Sequence, residues 1–291
     1  MRLDGRRESS NVEDRRGLSG GAKAGIGGIG GIIIIALFTF LQGGNVGDVV
    51  NNVVQQTMQA PTETVGEENF TEEEQELASD CKKILASTEE VWTKVFQDNG
   101  WGDYQYPTLV LFTNQVNSAC GSATAAVGPF YCSGDQKLYV DLSFFTQMKR
   151  QLGVEGNTFA YAYVIAHEIG HHIEYLTGTL NKAHQAMNQT DKVSANQISV
   201  RLELLADYYA GVWAHYEDAM NHSMEYGDLE KGLELAKAIG DDWLQKKAQG
   251  RATPESFTHG TSDQRKRWLK RGFETGDMRT STFAVQNYND L

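Results

Sequence analysis

The sequence contains few prolines and few cysteines, and it has a deficit of positive charge. Four prolines in 291 residues are too few for a proline-rich linker or scaffold. The three cysteines include no Cys-x-x-Cys pair, which argues against zinc-ribbon and thioredoxin-like domains. Twenty-six Lys and Arg against thirty-eight Asp and Glu give a net charge of -12, the wrong sign for neutralising nucleic-acid phosphates. We therefore expect one globular domain with appendages and no nucleic-acid partner.

One long apolar run is present, at residues 24–41 (AGIGGIGGIIIIALFTFL), and it carries no charge. Its length is at the lower limit for a helix that spans a bilayer core of roughly 30 Å, and we predict a transmembrane helix. The alternative is a cleaved signal peptide, but the apolar core of a signal peptide is shorter and precedes an Ala-x-Ala-like site. The spacing of Gly27 and Gly31 allows close helix packing, so weak self-association is a further hypothesis.

Basic residues are concentrated before this run. Six Lys and Arg precede it, and none occurs in the forty residues that follow it. The positive-inside rule therefore predicts that residues 1–23 are a cytoplasmic segment and that the remainder is extracytoplasmic, either periplasmic or at the cell surface. Residues 42–70 are polar, which is typical of a tether, and residues 71–291 are left as the main domain.

The three cysteines fit an oxidising compartment. Cys120 and Cys132 flank a loop rich in Gly and Ala, and an extracytoplasmic location would allow them to form a disulfide. Cys81 falls on the apolar side of a predicted helix, so we interpret it as a buried free thiol and not as a nucleophile.

Helices are predicted to dominate the main domain. Thr71 and Glu74 have the spacing of a capping box, and apolar residues recur every three or four positions after it. Periodicity predicts further helices at 157–176, 194–219 and 228–247, and strands at 107–112 and 137–141. The expected fold class is α+β, rich in helices and with a small mixed sheet.

The helix predicted at 157–176 contains the motif His-Glu-x-x-His. His167 and His171 are four residues apart, so a helix places both imidazoles on one face, where they can bind one metal ion. Glu168 can reach a metal-bound water without binding the metal, as a general base requires. His172 points about 100° away from the pair on an ideal helix, so we expect it to pack and not to coordinate.

A third metal ligand is expected from a later helix. Glu203 and Asp207 are also four residues apart, so Glu203 can complete a His₂Glu zinc site while Asp207 accepts a hydrogen bond from a ligand imidazole. Three protein ligands leave one position for water, which is typical of a catalytic site. The competing interpretation is a pair of surface histidines beside a glutamate, and the second motif makes that interpretation less favourable.

Together these motifs resemble the bacterial membrane-anchored neutral zinc metallopeptidases, members of the broad His-Glu-x-x-His plus Glu class. The resemblance covers nearly the whole chain and includes residues 4–17 (DGRRESSNVEDRRG), the single anchor, 120–121 (CG), 128–132 (GPFYC), 163–172 (YVIAHEIGHH), 203–207 (ELLAD) and 258–260 (THG). It implies a zincin-like domain that binds one zinc ion through His167, His171 and Glu203, with Glu168 as the catalyst.

The expected reaction is hydrolysis of peptide bonds in a polypeptide substrate. His259, in a Thr-His-Gly turn, is the first candidate for stabilising the oxyanion, with Tyr208 and Tyr209 as competitors and a solvated loop histidine as the alternative. The strand at 137–141 could pair with an extended substrate, although we slightly prefer an ordinary core strand. The basic cluster from Arg265 to Arg271 is interpreted as a solvated helix face.

A second function hypothesis is a zinc-stabilised binding or chaperone-like module that turns nothing over. Glu168 favours the enzyme, because a structural zinc site has no use for an uncoordinated base beside an open position. A third hypothesis, a membrane scaffold with a coincidental motif, predicts that no metal is bound.

Overall fold

The structure, a computed structural model, describes residues 1–17 and 70–291. The transmembrane helix predicted at 24–41, the Gly27 and Gly31 pair and the tether up to residue 69 lie outside these residues. Within the described ranges, no helix is both long enough and apolar enough to cross a membrane.

The described strands form one mixed sheet and one hairpin. They are β1 (Val12–Asp14), β2 (Thr108–Phe112), β3 (Gln115–Ser118), β4 (Gly121–Thr124), β5 (Phe130–Cys132) and β6 (Lys137–Asp141). The sheet has the order β1-β2-β6-β5, in which β5 alone is antiparallel to its neighbour, and β3 pairs with β4 separately. The apolar run of β2 is buried on both faces, as expected of a central parallel strand. The small mixed sheet agrees with the sequence prediction.

The described helices are α1 (Glu72–Asn99), α2 (Ser143–Leu152), α3 (Thr158–Leu176), α4 (Thr179–Met187), α5 (Lys192–Asn221), α6 (Asp228–Ala238), α7 (Asp241–Gln249) and α8 (Ser262–Thr275). The capping box of Thr71 and Glu74 opens α1, as predicted. Asn157 and Asp191 cap α3 and α5 through their side chains. The whole is a helix-rich α+β fold.

The single helix predicted at 228–247 is wrong, because α6 ends at Ala238 and α7 begins at Asp241. Gly240 lies at the break, and a Cβ on it would lie 2.3 Å from the backbone nitrogen of Ser262. The chain therefore turns where it packs against the start of α8 more closely than a side chain permits. Apolar periodicity continues across the break and does not indicate it.

Glycines allow α3, α5 and α8 to pack with their backbones in contact. A Cβ on Gly170 of α3 would lie 2.8 Å from both Cα and the carbonyl oxygen of Ala206 in α5. A Cβ on Gly211 of α5 would lie 2.1 Å from the carbonyl oxygen of Leu269 in α8. Since real Cβ atoms do not approach backbone this closely, larger residues at these positions would push the three helices apart.

Residues 1–17 pack on the main domain. Strand β1 pairs with β2, and the side chains of Met1 and Leu3 are buried in the same core as α1, α3 and α5. The sequence-based division, which keeps residues 1–23 apart from a domain at 71–291, therefore omits a strand that the structure places in the sheet.

A disulfide joins Cys120 to Cys132, with the two Cα atoms 5.8 Å apart. It closes a loop that contains the 3₁₀ turn Ala125–Val127 and ties that loop to β5. Cys81 is a free thiol buried in α1, and burial raises its pKa. The sequence interpretation of Cys81 as a buried thiol agrees with this position.

The contact between α3 and α5 makes a stability prediction. Gly170→Ala should destabilise the protein by about 1–3 kcal/mol, because the added methyl group overpacks a backbone contact. Gly134→Ala is the control, since the nearest neighbour of its methyl group would be the Cβ of Ala119 at 3.1 Å, and no backbone atom would be closer than 3.6 Å. Urea unfolding measures both variants, and equal midpoints for the two would contradict the close contact.

Candidate metal centre and active site

Two histidines of α3 and a glutamate of α5 form the centre of the site. The Nε2 atoms of His167 and His171 lie 3.2 and 3.5 Å from the two carboxylate oxygens of Glu203. One donor atom from each residue lies within 4.8 Å of the others, which is the geometry of a three-ligand metal site. Two imidazole nitrogens and a carboxylate are a donor set that zinc takes in catalytic sites.

The crossing of α3 and α5 explains this convergence. Gly170 lies between His167 and His171 in the sequence, and Ala206 lies between Glu203 and Asp207. Because Gly170 and Ala206 are in close contact, the polar pair of α3 faces the polar pair of α5 where the two helices cross.

Carboxylates hold the outer nitrogens of both imidazoles. His167 Nδ1 lies 2.9 Å from Asp207 Oδ1, as predicted for Asp207, and His171 Nδ1 lies 2.9 Å from Glu174 Oε2. An ionised carboxylate only accepts, so each Nδ1–H donates and each Nε2 is left free to bind a metal. Sequence reasoning missed Glu174, although its position three residues after His171 on one helix would have suggested the contact.

Arg265 is buried at this site, and its interpretation as part of a solvated helix face is wrong. Its side chain is 3% exposed, and Nε and Nη2 donate to the two oxygens of Asp207 at 2.8 and 3.0 Å. Tyr163 also donates its hydroxyl to Asp207 at 2.6 Å. The charge pattern of α8 misled the sequence analysis because the first cation of the run faces inward while the later ones face solvent.

The surrounding charges shift the pKa values of the site. Burial lowers the pKa of His167, but the carboxylates of Asp207 and Glu203 outweigh it and raise that pKa to about 9. Burial also opposes ionisation of Asp207, yet Arg265 and His167 hold its pKa at about 2. The paired imidazoles therefore lie in a strongly negative environment that favours a bound cation.

Glu168 lies beside the ligands without joining them. It is buried, and its Oε2 has no hydrogen-bond partner among the described residues. Burial raises the pKa of this carboxyl group. An unsatisfied buried carboxylate is costly unless it serves a ligand or a reaction.

The metal site opens into a cleft. Phe144, Leu235 and Ile239 supply apolar walls, and Val127, Gly128 and Pro129 form part of the lining next to β5. The disulfide of Cys120 and Cys132 brackets this last segment. The cleft thus combines apolar walls with the polar cluster of Glu168, His167, His171 and Glu203, as a substrate site does.

His259 also lines this cleft, whereas its two competitors do not. Its imidazole is buried, and its Nδ1 lies 3.2 Å from Oδ1 of Asp241, the first residue of α7. It is therefore not the solvated loop histidine considered as an alternative. The hydroxyl of Tyr208 instead donates to the backbone of Asp277, and Tyr209 packs edge-on against Trp92.

His172 packs outside the metal group, as the helical geometry predicts. Its Nδ1 accepts from the hydroxyl of Tyr131 at 2.8 Å, and its Nε2 donates to the carbonyl of Gln105 at 2.7 Å. Burial lowers the pKa of His172 to about 4, so the ring is neutral. Strand β6, the candidate for pairing with substrate, is flanked by β2 and β5 on its two sides and is the core strand that we preferred.

Comparison with known proteins agrees with this geometry. A family model described as "Putative neutral zinc metallopeptidase" matches residues 1–283. The protein YpfJ of Escherichia coli (strain K12) is 44% identical over 283 residues, which cover 95% of this chain and 96% of the relative. Rv2575 of Mycobacterium tuberculosis (strain ATCC 25618 / H37Rv) is 40% identical over 183 residues, 60% of this chain and 61% of the relative.

Both relatives are described only as "Uncharacterized protein", so their names do not indicate a substrate. No solved structure matches the chain. The family model spans nearly the whole sequence, including residues 1–17 and each residue of the metal group. The chain therefore belongs to the family described as putative neutral zinc metallopeptidases.

Proposed function

We propose that the protein hydrolyses peptide bonds with one zinc ion held by His167, His171 and Glu203. The observation that carries this proposal is the buried carboxylate of Glu168, whose Oε2 has no hydrogen-bond partner among the described residues, beside the three convergent ligand atoms. A site that only stabilised the fold would need no free carboxylate there. Membership of the metallopeptidase family and the cleft at the site support the same function.

Zinc, when bound, supplies a Lewis acid that polarises the scissile carbonyl and lowers the pKa of a coordinated water to roughly 7. The protein's own residues determine where that chemistry occurs. His167, His171 and Glu203 hold the ion, while Asp207 and Glu174 fix the orientation and tautomer of the two imidazoles. His167, His171, Glu203 and Glu168 all line the cleft, so an ion held by the three ligands would be accessible to a substrate there.

Glu168 acts as the general base and then as the general acid. Its carboxylate removes a proton from the attacking water and passes that proton to the leaving amine. Burial raises its pKa, which brings its proton affinity closer to what transfer at neutral pH requires.

His259 stabilises the developing oxyanion. Asp241 holds its Nδ1, so Nε2 is the nitrogen that remains for a group in the cleft. Asp241 raises the pKa of His259 against the opposing effect of burial, which favours an imidazole that donates a hydrogen bond.

An extended polypeptide is the substrate that the cleft fits best. Strand β5 lies at the edge of the described sheet, and the residues just before it line the cleft. Main-chain groups at a sheet edge can pair with an extended chain, and the role once considered for β6 therefore passes to β5. The competing function, a zinc-stabilised binding module, predicts bound metal without turnover.

Glu168→Gln should abolish hydrolysis and leave the metal in place. Loss of a general base lowers kcat by about 10²- to 10⁴-fold. Cleavage of a fluorescently labelled unfolded protein and zinc content are measured on the full-length chain, with the exposed Glu255→Gln as the matched control. Equal cleavage by Glu168→Gln would remove this residue from the mechanism. A wild type that binds zinc and cleaves nothing would favour the binding module.

Glu203→Ala should weaken zinc binding by at least about 10-fold, because it removes a direct ligand. Even the loss of a residue that only hydrogen-bonds to a ligand lowers metal affinity by about 10- to 100-fold. Competition with a chromophoric chelator measures the affinity. The exposed Glu230→Ala is the control and should bind as the wild type does. Unchanged affinity in Glu203→Ala would exclude this carboxylate from the metal site.

Arg265→Lys should weaken zinc binding by about 10-fold while the fold persists, because lysine keeps the charge but cannot hold both oxygens of Asp207. The loss should appear in chelator competition and in kcat. Lys266→Arg, at the neighbouring position of α8, should change neither measurement. An affinity unchanged in Arg265→Lys would contradict a positioning role for the guanidinium group.

A further inference from the structure

The first 17 residues of the chain, here called the N-terminal strap, are built into the catalytic domain. Strand β1 pairs in parallel with β2, in a register that sets Val12 opposite Leu109 and Asp14 opposite Leu111. The backbone adds a hydrogen bond to β2 at each end of β1, from Leu109 N to Asn11 O at 2.9 Å and from Arg15 N to Leu111 O at 2.8 Å. The strap thus supplies β1 as the fourth strand of the sheet. The opposite edge of this sheet is β5, which lies next to the cleft.

Two buried carboxylates of the domain depend on the strap for their counter-charges. Glu217, on the helix that also carries Glu203, has a side chain that is 0% exposed and pairs with Arg6 at 2.7 Å. Glu89 of α1 has a side chain that is 3% exposed and pairs with Arg7 at 3.0 Å. No other cation forms an ion pair with either carboxylate in the described part of the chain.

The neutral neighbours of these carboxylates complete the same arrangement. Ser87 and Asn221 donate to Glu217, while Ser9 and Asn11 of the strap donate to Glu89. A carboxylate buried without its cation is strongly unfavourable. The domain surface is therefore complementary to the strap in charge as well as in backbone hydrogen bonds.

The described chain stops after residue 17 and resumes at residue 70, and these two points lie close together in the fold. The guanidinium group of Arg16 lies 4.2 Å from the centroid of the Phe70 ring, and its Nη1 donates to the carbonyl of Glu74 at 3.1 Å. A chain that starts and ends at one point on one side of a bilayer crosses that bilayer an even number of times. Residues 18–69 contain a single apolar run long enough to cross, at 24–41.

We propose that the N-terminal strap and the active site lie on the same side of the membrane, so the single crossing expected from the charge pattern does not occur. If residues 24–41 associate with a bilayer, the strap and the rest of the domain must then remain together on one side of it. The disulfide of Cys120 and Cys132 indicates that this side is an oxidising compartment. The positive-inside rule fails here because Arg6 and Arg7, two of the six basic residues that it counts, form ion pairs with buried carboxylates of the domain.

Site-directed thiol labelling tests the proposal in intact cells. Ser10→Cys in the strap and Glu255→Cys in the catalytic domain both place a thiol at an exposed position. The native Cys81 is buried and the other two cysteines are joined, so the unmodified chain is the background control. A membrane-impermeant maleimide should label both variants to the same extent before permeabilisation. Labelling of Glu255→Cys alone, with Ser10→Cys reached only after permeabilisation, would overturn the proposal.

A crosslink tests whether the strap docks on its own chain. Lys137 Nζ and Glu13 Oε1 are paired at 2.5 Å at the surface, so cysteines at both positions should be joined by a short bismaleimide in cells. A protease site inserted between residues 18 and 69 is then cut after extraction. The strap fragment should stay attached to its domain at monomer mass, and the single-cysteine variants should release it. Release from the double variant, or a crosslinked dimer, would contradict docking within one chain.

Discussion

The contact between Gly170 and Ala206 determines the rest of the site. At this point α3 and α5 touch through their backbones, and each helix carries a pair of polar residues spaced by four across the contact. His167 and His171 therefore meet Glu203 directly, and Asp207 meets the outer nitrogen of His167. No loop has to be ordered to assemble the ligands, so two rigid helices define the metal position.

The same crossing of α3 and α5 brings three carboxylates into a buried site, where their negative charge is unfavourable without a cation. Glu203, Asp207 and Glu174 surround the two imidazoles, and Arg265 is the one buried guanidinium that balances them among the described residues of the cluster. Burial raises the pKa of Glu174 to about 7, whereas Arg265 keeps the pKa of Asp207 near 2. The three carboxylates outnumber this one guanidinium, so a divalent cation bound there would offset the remaining negative charge.

Local sequence patterns predicted what depends on local geometry. Helical spacing placed His167, His171 and the pair of Glu203 and Asp207, and the capping box placed the start of α1. What depends on contacts between distant segments was not predictable: Arg265 looks like its solvated neighbours until α8 is packed on α5. Strand β1 was missed for the same reason, since three residues are too few to show a period. Arg6 and Arg7, which precede it, are informative only beside Glu217 and Glu89.

The position of Arg16 against Phe70 has a consequence for how the protein can be divided. Truncation at residue 70, the boundary that composition suggests, would leave Glu89 and Glu217 buried without their cations and would remove a strand from the sheet. Because Arg16 and Phe70 are in contact, a few glycines and serines could join residue 17 to residue 70 without displacing either. The smallest unit of this chain that keeps the sheet and the metal group intact is therefore discontinuous in sequence although it is continuous in space.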